Sequence, residues 1–135
     1  MYVVVSSSDE LPIYRQIMRQ MTEAIAGGRL KPGEKLPSHR ELSDAIAVAP
    51  LTVKKAYDEL EDLGFIETQR GRGTFVCAKL PRADRAAQSD RIRQEARRLL
   101  SQAYLAGLDL AGVVKILQQA DAELARGPRQ EKEKV

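Results

Sequence analysis

The chain has one cysteine, Cys77, and one histidine, His39, in 135 residues. A single thiol excludes an internal disulfide and suits a reducing compartment, so the expected location is the cytoplasm. One His and one Cys leave almost no material for a zinc site or for Cys–His or Ser–His–Asp catalysis. No dense acidic motif points to a carboxylate metal site either. The expectation is therefore no enzyme, no metal and no cofactor, with any small-molecule effector unidentified. Long apolar runs are also missing, which excludes a membrane-spanning helix and a membrane partner. The opening MYVVVSSSDE has neither the basic region nor the apolar stretch of a signal peptide. Excess charge is missing where it would be most informative. Residues 1–80 carry 11 Lys or Arg against 11 Asp or Glu, and residues 81–135 carry 11 against 8, the whole net charge of +3. Binding to a polyanion must then rest on local segregation of charge, not on bulk charge.

What is present is an ordinary globular composition, 43% apolar and 30% charged, with room for one compact domain and an appendage. Residues 1–10 read as an irregular lead-in. Pro12 suits a first helical position. Ile13, Ile17, Met21 and Ile25 recur at four-residue steps, with Met18 and Ala24 beside them, and predict an amphipathic helix ended by Gly27-Gly28. Pro32-Gly33 suits the centre of a type II turn, with Leu30 and Leu36 packing inward on either side.

The stretch from Leu36 to Val76, LPSHRELSDAIAVAPLTVKKAYDELEDLGFIETQRGRGTFV, carries the function. Ser38 and Glu41 have the spacing of a capping box, opening a short helix with Leu42 and Ile46 on its apolar side. That helix ends near Ala47. Pro50 then starts a third helix, with Val53, Ala56, Tyr57, Leu60 and Leu63 on its core face and Gly64 as terminator. Two short runs rich in β-branched and aromatic residues, 65–69 and 74–77, flank a tip of Arg70-Gly71-Arg72-Gly73. The predicted fold is mainly α with a small β-hairpin, an N-terminal winged helix-turn-helix over residues 1–80. It presents an exposed helix start and a basic loop, the arrangement a DNA duplex requires. Arg40, Lys54, Lys55, Arg70 and Arg72 fall on these elements. Asp58, Glu59, Glu61 and Asp62 are expected at the far end of the third helix. For Arg40 the alternative is an ion pair with Asp44; for Lys54 and Lys55, plain surface in place of phosphate contact.

From about Asp84 a charged helix is predicted to Ala106, with Ile92, Ala96, Leu99, Leu100, Ala103 and Tyr104 on one side. Gly107 breaks it, and Asp109 caps a further helix carrying Leu110, Val113, Val114, Leu117, Ala120 and Leu124. These two helices, within residues 81–127, read as a dimerisation element acting through residues 84–124. The alternative is that they fold back on their own chain. Residues 128–135 are too polar to pack and read as a disordered tail.

PSHRELSDAIAVAPLTVKKAYDELEDLG followed by RGRGTFV resembles the GntR family of bacterial transcription regulators, over residues 12–77. The short remainder is similar to the YtrA subfamily, whose C-terminal region mainly dimerises and whose members are often associated with ABC transporter operons. The resemblance implies a homodimeric repressor on an inverted-repeat operator of double-stranded DNA. A winged helix serving only as a protein-docking module is the alternative. Arg40 matches the family's arginine before the turn, and Thr52 and Lys54 match the start of the recognition helix. Gly71 and Gly73 match the wing glycines. The expected DNA-contacting set is Ser38, His39, Arg40, Pro50, Leu51, Thr52, Lys54, Lys55, Arg70, Gly71, Arg72, Gly73 and Thr74. His39 stands where the family more often has glutamate. Leu51 stands where a polar residue is usual, and leucine offers a base only apolar contact, as with a thymine methyl.

Overall fold

The computed structural model describes residues 3–80 and 85–127. Its elements run α1 Ile13–Ala26, β1 Lys35–Leu36, α2 His39–Ile46, α3 Pro50–Asp62, β2 Ile66–Gln69, β3 Gly73–Val76, α4 Arg85–Leu105 and α5 Leu110–Arg126. Two compact units result, Met1–Pro81 with Leu124–Val135, and Arg82–Glu123. The predicted boundary at Pro81, the helix start at Asp84 and the tail 128–135 lie outside the described residues.

In the first unit, α1 buries Ile17, Met21 and Ala24, as their spacing predicts. Pro12 stands one place earlier than expected, as N-cap with φ −53 and ψ 148, because extended backbone there lets its carbonyl take the Arg15 and Gln16 amides. The turn at Pro32-Gly33 closes through Glu34 N–H to the Lys31 carbonyl (3.0 Å). Leu30 and Leu36 on either side of it are buried.

The sequence pattern predicts two strands, and the described residues form three. The antiparallel order is β1-β3-β2, with Leu36 opposite Thr74, and Thr74 opposite Thr68. β1 is two residues long, too short for any alternation to register, and forms only because β3 offers it a free edge. Ile66 and Val76 face each other across the other pair and are buried in the core.

α3 turns Val53, Ala56, Tyr57 and Leu60 into the core. Leu63, which helical spacing assigns to the same face, is 54% exposed. The helix has already ended there. Gly64 takes φ +85, a left-handed conformation a side chain resists, and its N–H reaches the Glu61 carbonyl while Phe65 N–H reaches that of Leu60. That closure swings the chain toward β2 and leaves Leu63 outside.

A second departure lies at the chain's start. The lead-in is held by two glutamines one turn apart on α1. Gln16, buried, accepts from Ser6 N–H and donates to the carbonyls of Ser6 and Leu11, each at 2.8 Å. Gln20 accepts from Val4 N–H (2.8 Å) and donates to the Val4 carbonyl. Val3 is thereby seated in the core.

In the second unit, Asp109 Oδ1 accepts from Gly112 N–H (2.8 Å), capping α5 as predicted. Ala103 and Val113 are buried, while Ile92, Tyr104, Leu105, Leu110, Val114, Ile116 and Leu117 remain exposed. Among the described residues no helix is long and apolar enough to cross a membrane.

Replacing Gln16 with Leu should cost about 1–2 kcal/mol, the price of unpairing backbone groups against α1. Denaturant unfolding measures the loss, and faster amide exchange at Ser6 should accompany it.

Candidate nucleic-acid interface

The local chemistry between Ser38 and Val53 decides how α2 and α3 meet. Ser38 is the N-cap of α2, its Oγ accepting from Glu41 N–H (3.1 Å). Only this serine half of the predicted capping box forms. At the other end Ala47 holds φ +54, a left-handed conformation that is rare for a residue with a Cβ. Ser43, buried, stabilises it from within: its Oγ donates to the Val48 carbonyl, and Val48 N–H returns to the Ser43 carbonyl (3.2 Å). The sequence places the helix end near Ala47, as found, but passes over Ser43, since a serine inside a helix carries no signal of its own.

Pro50 then opens α3 at a position where its missing N–H costs nothing. Tyr57 locks the helix against the link between β1 and α2, its hydroxyl donating to the Pro37 carbonyl (2.7 Å). Burial, and secondarily the charge of Glu41, pushes that phenol far above its usual range, so it stays a neutral donor.

With one side of α3 committed to the core, Leu51, Lys54 and Lys55 fall on the other, at the i, i+3, i+4 spacing of one helix face. All three are exposed, and Leu51 is 79% exposed. Thr52, between the two faces, is half-buried. The cations here are engaged. Lys54 Nζ lies 2.8 Å from Asp58 Oδ2, a hydrogen-bonded pair that holds the ammonium above its ordinary pKa. Asp58 thus belongs to the face it was expected to avoid, because four residues separate it from Lys54. Lys55 Nζ stands 4.2 Å from the centre of the Tyr14 ring on α1. Arg40, on the first turn of α2, is exposed and makes no ion pair with Asp44. His39 and Ser38 beside it are half-buried.

The ribbon tip is a turn closed by Arg72 N–H to the Gln69 carbonyl (2.9 Å), with Gly71 at φ +75 in its third place. A non-glycine residue there would be strained. Arg70, Gly71 and Arg72 are exposed and Gly73 is half-buried. Thr74 departs from the expected set: it is 8% exposed, because alternation along β3 turns it and Val76 to the core. Glu61 steadies the ribbon by accepting from Thr68 N–H (3.0 Å). Cys77, just beyond β3, has its thiol pKa raised by burial and by the nearby Glu67 and Glu61, which disfavours the thiolate.

Known proteins share this arrangement. The model of bacterial regulatory proteins, gntR family, matches residues 13–76. The HTH-type transcriptional repressor YtrA of Bacillus subtilis (strain 168) is 39% identical over 118 residues, 87% of this chain and 91% of that protein. A solved structure described as a transcriptional antiterminator from Listeria monocytogenes EGD-e is similar with a TM-score of 0.77 at 28% identity, covering 97% of this chain and 98% of that one. AraR(DBD) in complex with operator ORX1 is similar with a TM-score of 0.51 at 29% identity, covering 57% of this chain and 96% of that one. With the winged helix-turn-helix matched and the likeness to YtrA extending well beyond it, the chain belongs to the gntR family of bacterial regulatory proteins, among its YtrA-like members.

Proposed function

We propose that this protein is a sequence-specific DNA-binding transcription regulator, a repressor that binds an inverted-repeat operator as a homodimer. The observation that carries the reading is the outward face of α3, where Leu51, Lys54 and Lys55 are all exposed. AraR(DBD), solved in complex with operator ORX1, supports DNA as the partner. In this reading the first turn of α3, from Pro50 to Thr52, enters the major groove. Ser38, His39 and Arg40 approach the adjoining backbone, and Arg70, Gly71, Arg72 and Gly73 lie along the flanking minor groove. Thr74, buried, is left out. Lys54 exchanges Asp58 for a phosphate: an exposed pair is held weakly enough to be traded for the denser charge of a duplex.

Dimerisation supplies the second half-site, since one helix and one wing make too few phosphate contacts for tight binding at cellular salt. The apolar residues of α4 and α5 left exposed within residues 84–124 support that element as the dimer contact. YtrA is a repressor, which supports repression by occupying a site over a promoter. Transporter genes are the proposed targets, on the resemblance to that group alone.

Arg40→Ala and Lys54→Ala should each weaken binding to all duplexes alike and lower the slope of log affinity against log salt by about 1. Asp58→Asn, which removes the competitor for Lys54, should strengthen binding several-fold at low salt. Gel shifts on the DNA upstream of its own gene, with a scrambled duplex as control, provide the test. Equal affinity for the two duplexes overturns sequence-specific binding.

Val114→Glu combined with Leu117→Glu should turn a dimer into a monomer in sedimentation equilibrium while leaving the first unit folded by circular dichroism. A monomeric wild-type protein at micromolar concentration overturns the dimer.

A further inference from the structure

One residue on the proposed DNA face has no polar chemistry at all. Leu51 exposes 79% of its surface, on the first turn of α3, one residue after a proline and three before Lys54. The first unit leaves only one other large apolar side chain comparably exposed among its described residues, Leu63. Leu63 sits at the opposite end of the same helix as its C-cap, beside Asp62. Leu51 shares its helix face with Lys54 and Lys55. An isolated exposed leucine is ordinary on a protein surface. One that projects from the leading turn of a helix flanked by Lys54 and Lys55 is on the part of the molecule that meets a polyanion first.

The edges of the bases restrict what such a side chain can meet. In the major groove guanine offers acceptors, cytosine an amino donor, and adenine one of each. Thymine alone adds an apolar group, its 5-methyl. Against a guanine, cytosine or adenine edge, leucine would strip water from donors and acceptors and return no hydrogen bond. Against a thymine methyl it buries two apolar surfaces together. The groups around it leave that preference undisturbed. Pro50 has no N–H to offer, Thr52 is half-buried, and Lys54, one turn further along, is taken by a backbone phosphate in the reading above.

Resting on the DNA-binding reading above, we propose that Leu51 is a specificity-determining residue that reads the 5-methyl group of one thymine in each operator half-site. It discriminates by methyl contact and by exclusion of polar base edges.

The test uses the full-length chain and duplexes it enriches from a random-sequence library. Each thymine of an enriched half-site is replaced in turn by deoxyuridine, which removes the methyl and leaves every hydrogen-bonding group in place. One position per half-site should lose about four-fold in affinity, the worth of one methyl-sized apolar group. The Leu51→Ala variant should bind the thymine and deoxyuridine duplexes equally at that position. Because the side chain is exposed, this variant should keep the wild-type melting temperature. If no deoxyuridine substitution weakens the wild type, or if Leu51→Ala keeps the full methyl preference, the assignment is overturned. Failure to enrich any sequence overturns the DNA-binding reading and this inference with it, a result distinct from the other two.

Discussion

The rotation of α3 about its own axis is the constraint on which the rest depends. Val53, Ala56, Tyr57 and Leu60 share one stripe, and all four are buried. Burying four such side chains is worth several kcal/mol, and a rotation of even one residue would expose part of that stripe. The hydroxyl of Tyr57 on the Pro37 carbonyl pins the same orientation with a directional bond. Everything on the opposite side follows as a residue of that choice. Leu51, Lys54, Lys55 and Asp58 are outside because their neighbours must be inside.

That logic explains why so much was legible beforehand. Helical periodicity places α1, α2 and α3, and the serine and proline signals place the starts of α2 and α3. The paired glycines place the end of α1 and the ribbon tip. The exposed site residues of α3 and the wing follow from the same periods. What escaped has non-local or cooperative causes. β1 exists only through its pairing with β3. Thr74 is inward because the register of β3 is set by Val76 opposite Ile66, a contact ten residues apart in the chain. Leu63 obeys the helical period and is still outside, because the closure at Gly64 ends the helix one residue too soon. Ser43 and Ala47 shape the turn through a hydrogen bond that no spacing rule anticipates.

Charge shows the same division between what a sequence lists and what a fold arranges. The first 80 residues are balanced in sign, and counting cannot say which cations are available. In the structure Arg40 is unpaired with its neighbour Asp44, Lys54 is shared with Asp58, and Lys55 rests on the Tyr14 ring. Three cations that look equivalent in one dimension thus differ in what they must give up before meeting a new anion. Arg40 gives up no ion pair among the described residues, Lys54 a carboxylate, and Lys55 an aromatic face.

The glutamine pair on α1 has a consequence for how the polypeptide behaves in a crowded solution. Val3-Val4-Val5 is a short β-prone run near the chain's start, the kind of segment that recruits copies of itself edge to edge. Gln20 and Gln16 occupy both backbone groups of Val4 and of Ser6, the alternate residues along one side of that run. A helix thereby impersonates a neighbouring strand, and one adhesive border of the segment is closed to intermolecular pairing without a sheet having to be built beside it.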